Sequence, residues 1–384
     1  MGQTQATTLL LLAMGAFLIP LLSNRLRVPA AVIEILYGIL LADRGLGLVQ
    51  RSEFTAFLGQ FGFAFLMFLA GMEIDFGQVE KLGRRGLLVV SLAISMVFGG
   101  AAAVTWWFDK PFLFVLALGA MSLGLTLVAL RDTGKLSTPM GQLVLIAGTL
   151  GEFVTIFLLT VTDLAGLHGV GTDLLVGLAK LVGLFAAAWA ALVLLRTLVW
   201  WFPQRFGRLV AVEDSAELGV RGAFALLLVS IAAALALHVE VILGAFLAGV
   251  LVAFSFRDRG AIEHKLSSFG FGFFIPIFFI HVGIAFDPGE LRLETLLSDV
   301  AFLLVAGYLL RAMPMLLFTA LGLRLRETLA AGLIMSAPLT LLVAIAQVGL
   351  DTGLVAPHVA SAIVVYALVG GVLFPTAFRA LVPK

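Results

Sequence analysis

The chain has 384 residues, of which 61% are hydrophobic and only 12% charged; its net charge is +1 and it has no cysteine. So much apolar surface exceeds what a water-soluble fold can hide, and a near-neutral balance gives nucleic acid no electrostatic footing. The lack of cysteine excludes disulfides, thiolate metal sites and thiol catalysis.

The first apolar run, MGQTQATTLLLLAMGAFLIP, has no Lys or Arg ahead of its core, so it reads as a retained helix rather than a cleaved signal. Runs of about twenty apolar residues, each long enough to cross a bilayer, follow it between short charged loops. They predict an all-α polytopic membrane protein with thirteen spans, near 7–23, 29–48, 54–72, 86–108, 111–131, 138–163, 172–200, 216–236, 239–256, 267–286, 297–320, 327–349 and 358–378. Asp43 and Arg44 shorten the second. With this count, 17 of the 24 Lys and Arg fall on one side, four on the other and three within spans. The positive-inside rule then predicts an N-terminus outside and a C-terminus in the cytoplasm of a cell (inner) membrane protein.

The sequence echoes itself at an offset of about 211 residues: FGFAFLMFLAGMEIDF (61–76) resembles FGFFIPIFFIHVGIAF (271–286), and Gly38 and Ala42 correspond to Gly249 and Ala253. Six spans precede the seventh and six follow it. An odd linker inverts the second copy, which predicts a first repeat over 1–165, a linking helix over 171–200 and an inverted second repeat over 212–378. The offset maps Thr126 onto Ala337, beside Pro338. Crossed, discontinuous helices are expected there, with Gly124 and Pro338 as the helix-breaking residues and Thr126 and Ser336 flanking the crossing. A plain proline kink is the competing reading of Pro338.

Glu152, in TLGEFVTIFLLTV, is the residue that most needs a purpose. An ionisable group at membrane depth costs roughly 2.5–3.5 kcal/mol on insertion scales, and such groups mark ion or proton sites by default. Arg311, in AGYLLRAMPMLLF, stays charged in proteins and so serves as charge compensation rather than as a proton carrier. Glu152, Thr126 and Ser336 are the predicted ion- and proton-binding residues, with Glu152 as the ligand of a monovalent metal cation; Glu73, Glu34, Ser122 and Thr340 are candidates for the ion pathway. A buried structural acid is the plain alternative for Glu152, an interfacial anchor for Glu73 and helix packing for Glu34. His281 reads as a core residue, and Asp163, His238 and Glu240 as interfacial. No phosphate-binding loop or clustered metal ligands point to an ATPase, an enzyme or a resident cofactor.

Several segments in order, VPAAVIEILYGILLAD, FGFAFLMFLAGMEID, MSLGLTLVALRDTGKLSTP, AGTLGEFVTIF, LGAFLAGVLVA, FFIPIFFIHVGI and GYLLRAMPMLL, resemble the monovalent cation/proton antiporter superfamily. The NapA-type sodium/proton antiporters and the membrane part of KefC-type potassium efflux systems are the nearest in pattern. The resemblance implies an NhaA/NapA-like fold and a homodimer in lipid. It also implies an ion-translocating core (86–163 and 297–378) that moves elevator-fashion against a scaffold and dimer part (1–76 and 216–286). It implies exchange of Na+ or K+ for H+. At the family's central acidic pair this chain has Gly151 and Glu152, and after the proline of span twelve it has Leu339, Thr340 and Leu341 where relatives carry Arg-Gly-Glu. One carboxylate beside one permanent cation predicts electroneutral exchange, one cation per proton. The rival readings are a non-transporting sensor or channel that keeps the fold, and a Na+-coupled organic-anion symporter.

Overall fold

The computed structural model describes residues 3–26, 28–43, 45–50, 52–73, 82–168, 172–201, 217–237, 241–255, 260–286 and 293–382. His238 and Glu240 lie outside these residues, as does the side chain of Asp163. Every regular element described is helical: α1 (Gln3–Leu26), α2 (Ala30–Leu41), α3 (Glu53–Met72), α4 (Gly83–Trp107), α5 (Leu113–Gly119), α6 (Gly124–Asp132), α7 (Pro139–His168), α8 (Thr172–Trp201), α9 (Leu218–Leu237), α10 (Val241–Ser255), α11 (Gly260–Phe269), α12 (Ile275–Ala285), α13 (Leu293–Met315), α14 (Leu325–Met335), α15 (Leu339–Asp351) and α16 (Pro357–Leu381). Among the described residues, ten helical stretches are long and apolar enough to cross a membrane. Three shorter apolar helices accompany them: Ala30–Leu41, Leu175–Ala190 and Val241–Phe254. The protein is a multi-pass, all-helical membrane protein.

The chain divides into two units. The first joins residues 1–75 to 167–286, the second residues 76–166 to 287–384.

In the first unit α3 packs on α10, and α2 packs on α12. Both pairs meet at glycines. A Cβ on Gly283 would lie 2.8 Å from Gly38 Cα, and one on Gly249 would lie 3.0 Å from the carbonyl carbon of Gly71. Only a hydrogen fits at either crossing, as is usual where membrane helices approach backbone to backbone. Gly38 and Gly249, one glycine from each pair, stand 211 residues apart. Ser52 starts α3 with its hydroxyl accepting from Thr55 N while Thr55 Oγ1 accepts from Ser52 N, so two donors at the helix end are satisfied. α11 enters α12 through a π turn at Gly270–Phe274, just before Pro276. Proline has no N–H and its ring crowds the carbonyl four residues back, so the wider turn accommodates it.

In the second unit, α13 packs on α14 and α4, and α15 on α16. Its core includes Val90, Val97, Met121, Val144, Met315, Ile334 and Phe378, all fully or nearly fully buried. Two of its spans are interrupted. α5 and α6 are separated at residues 120–123, where Ala120 turns extended (φ −53°, ψ 134°). α14 and α15 are separated at residues 336–338. Pro338 (φ −82°, ψ 56°) is the centre of an inverse γ-turn closed by Leu339 N donating to Ala337 O at 2.9 Å. This is a helix break with a fresh start, not a kink in a continuous helix. Just past the C-terminal end of α4, Lys110 Nζ pairs with Asp299 Oδ1 at 2.6 Å and lies 5.5 Å from the Phe302 ring centre.

Candidate functional site

Glu152 lies midway along α7 and is 3% exposed. Its carboxylate faces the break between α5 and α6. Oε1 accepts from Ser122 Oγ at 3.3 Å, and Oε2 accepts from Leu123 N at 3.2 Å. Leu123 immediately precedes α6, so the acid caps the positive end of a half-helix. One turn further along α7, Thr155 Oγ1 accepts from Met121 N at 3.3 Å and donates to Gly151 O at 2.7 Å. Two backbone donors released by the break are therefore taken up by α7, as a membrane interior requires.

Arg311 serves the opposite end of the same break. It is fully buried on α13. Its Nε donates to Ala120 O at 3.1 Å, and Nη2 donates to the same oxygen and, at 3.5 Å, to Ala117 O. Nη1 donates to Gly307 O at 2.8 Å and to the Tyr366 hydroxyl at 3.4 Å. The cation sits at the negative end of α5 and the carboxylate at the positive end of α6, so both half-helix dipoles meet charge of the favourable sign.

The second break joins this site through two hydroxyls. Thr340, in the first turn of α15, lies with Oγ1 3.0 Å from Ser122 Oγ. Thr126 Oγ1 donates to Ser122 O at 3.0 Å and to Ile334 O at 3.4 Å, tying α6 to the end of α14. Ser336 Oγ donates to Gly332 O at 2.7 Å within its own helix end.

The structure thus gathers Glu152, Ser122 and Thr340 into one hydrogen-bonded chain. Thr126 and Ser336, expected to flank the crossing as ion-binding residues, donate their hydrogens to backbone carbonyls. The first break falls at residues 120–123, ahead of the Gly124–Thr126 stretch where it was expected, and Gly124 is the first residue of α6. Pro338 stands in the second break, as expected. Glu34, buried on α2, and Glu73, half-buried where α3 ends, both belong to the first unit. Sequence reasoning missed Tyr366, the Leu123 N–H and the carbonyls of Ala117 and Ala120. It also missed Met121: a Cβ on Gly151 would lie 2.8 Å from Met121 Cβ and 3.0 Å from Met121 Cγ. The space that a side chain at 151 would enter is filled by the thioether arm of its neighbour across the break.

Residues 13–384 match the family described as "Sodium/hydrogen exchanger, transmembrane". The chain belongs to the sodium/hydrogen exchanger family. This exchanger-family chain is 28% identical to YjbQ of Bacillus subtilis, a candidate Na+/H+ antiporter, over 99% of its own length and 64% of that protein's. It is 25% identical to the Na+/H+–K+ antiporter GerN of Bacillus cereus, covering 92% of this chain and 90% of that one. Its fold is similar to that of the sodium proton antiporter MjNhaP1 from Methanocaldococcus jannaschii at pH 8, with a TM-score of 0.65 at 15% identity, over 97% of this chain and 94% of that one. These relatives are transporters, not enzymes. The exchanger family is therefore the setting in which a membrane-buried acid between broken helices is to be read.

Proposed function

We propose that this protein exchanges Na+ for H+ across the cytoplasmic membrane, with Glu152 holding either the metal cation or the proton. The observation that carries this reading is the placement of one buried carboxylate at the mouth of a broken helix, with Ser122 on one oxygen and a backbone N–H on the other. A bare carboxylate withdrawn from water is costly, so the site is stable to move only when a proton or a cation compensates it. Exchange follows from that restriction. A single carboxylate and a guanidinium that keeps its charge give one Na+ per H+ and no net charge moved. The name of GerN supports K+ as a second cargo of the same site.

The proposal extends to architecture. Thirteen spans in two inverted repeats accommodate the ten long and three short apolar helices, and the pairing of α2 with α12 and of α10 with α3 supports the inversion. In an elevator-like cycle the unit that carries Glu152 is the moving one. The reading also includes a homodimer, an N-terminus outside and a C-terminus in the cytoplasm.

The test is proton flux in proteoliposomes on addition of Na+, K+ or Li+, comparing the wild type with Glu152→Gln. Cation-driven flux is expected in the wild type and none in the variant. Equal traces from the two proteins would refute the site. A response to membrane voltage at symmetric ion concentrations would refute electroneutrality.

A further inference from the structure

The hydroxyls beside Glu152 have only one arrangement of hydrogens when the acid is charged. Oε2 is committed to the Leu123 N–H, a donor that cannot rotate away. Ser122 has one hydrogen, directed at Oε1. The contact between Ser122 and Thr340 must then be made by the hydrogen of Thr340. Every donor points toward the carboxylate, and the order is Thr340, Ser122, Glu152. When a proton sits on Oε1 each hydroxyl reverses: Glu152 donates to Ser122, Ser122 to Thr340, and Thr340 outward. Burial runs the same way. Glu152 and Ser122 are each 3% exposed, whereas Thr340 is half-buried.

We propose that Thr340 and Ser122 form a hydroxyl relay that carries the proton to and from Glu152, with Thr340 as its outer end. The inference rests on the exchange reading above and assigns the proton its own route at that site. In the loading step a hydronium at the Thr340 end gives its proton to Thr340 Oγ1. Thr340 passes its original hydrogen to Ser122 Oγ, and Ser122 passes its own to Glu152 Oε1. Three O–H bonds break and three form, each hydroxyl ends with one hydrogen, the carboxylate becomes neutral and a water is left. Unloading is the reverse. The relay also joins two interrupted spans, since Ser122 lies in the break before α6 and Thr340 in the first turn of α15. The proton on α7 therefore sets the direction of a hydrogen bond between the two breaks.

The experiment is Na+-driven proton flux in proteoliposomes for the wild type, Thr340→Val and Thr340→Ser, each with kcat and the KM for Na+. Valine keeps the shape and removes the oxygen; serine keeps the oxygen. Expected is a fall in kcat for Thr340→Val on the order of a hundredfold, the low end of what a positioned proton-transfer group contributes, with KM unchanged. Thr340→Ser restores the rate, which a packing role for the threonine would not produce. Thr340→Ala carries the same expectation should the valine variant misfold. Wild-type kcat in the hydroxyl-free variants, a loss expressed through a raised KM for Na+, or a serine variant as slow as the valine one would overturn the relay. No cation-driven flux in the wild type would instead defeat the exchange reading itself.

Discussion

Replacing Arg311 by methionine keeps most of the side-chain length and removes the donors, and its cost follows from the carbonyls left behind. In an unbroken helix Ala117 O would accept from the N–H of residue 121. Here Met121 N is diverted to Thr155, so Ala117 O depends on the guanidinium. Ala120 O, at the break itself, receives two of the five donors. Gly307 O lies one turn back in the same helix as Arg311 and keeps the ladder of that helix, so its loss is smaller. A buried polar group stripped of its partner costs about 1–3 kcal/mol, which puts the two carbonyls together at about 2–6 kcal/mol. Arg311→Lys retains the charge but presents a compact ammonium in place of a fork, and it recovers about half of that. The assay is thermal unfolding in detergent followed by size-exclusion chromatography. The expected order of midpoints is wild type, then Arg311→Lys, then Arg311→Met. A methionine variant that unfolds at the wild-type temperature would refute the idea that the guanidinium satisfies the broken helix.

Glu152→Asp shortens the side chain by about 1.5 Å, one carbon–carbon bond, and takes the carboxylate out of reach of Ser122 and the Leu123 N–H; flux assays are expected to give a raised KM for Na+ and a lower kcat. Gly151→Asp is expected to express poorly, because the new Cβ enters the space of Met121, and Met121→Ala in the same chain is expected to recover the yield of monodisperse protein. Gly283→Val places a branched side chain against the backbone of α2, and overpacking of about 1–3 kcal/mol or more is expected as a lower unfolding midpoint. Lys110→Met removes a partly exposed ion pair with Asp299 and is expected to cost at most about 1 kcal/mol in the same assay.

The residues that sequence reasoning picked out share one property: they are ionisable or helix-breaking letters in an apolar text. Glu152, Arg311 and Pro338 stand out because each is expensive where it stands, and expense is visible without coordinates. The first break carries no sequence signal because Ala120 and Met121 are good helix formers; what opens the helix there is the set of partners on α7 and α13, which no local pattern encodes. Backbone acceptors such as Ala117 O carry no letter at all. Tyr366 is fully buried on α16, but in an apolar run a tyrosine reads equally well as an interfacial anchor. Thr126 and Ser336 stand next to the crossing in sequence. Position alone does not reveal that a hydroxyl on a membrane helix often spends its hydrogen on the carbonyl one turn back, as Ser336 does.

The filling of the space beside Gly151 by Met121 has an evolutionary consequence. A descendant of this chain that acquires a second acid next to Glu152 must displace Met121, and the change costs less once residue 121 has shrunk. Shrinking residue 121 first opens a void in the packed core. Positions 121 and 151 are therefore coupled, and the order in which the two substitutions occur decides how much stability the intermediate loses.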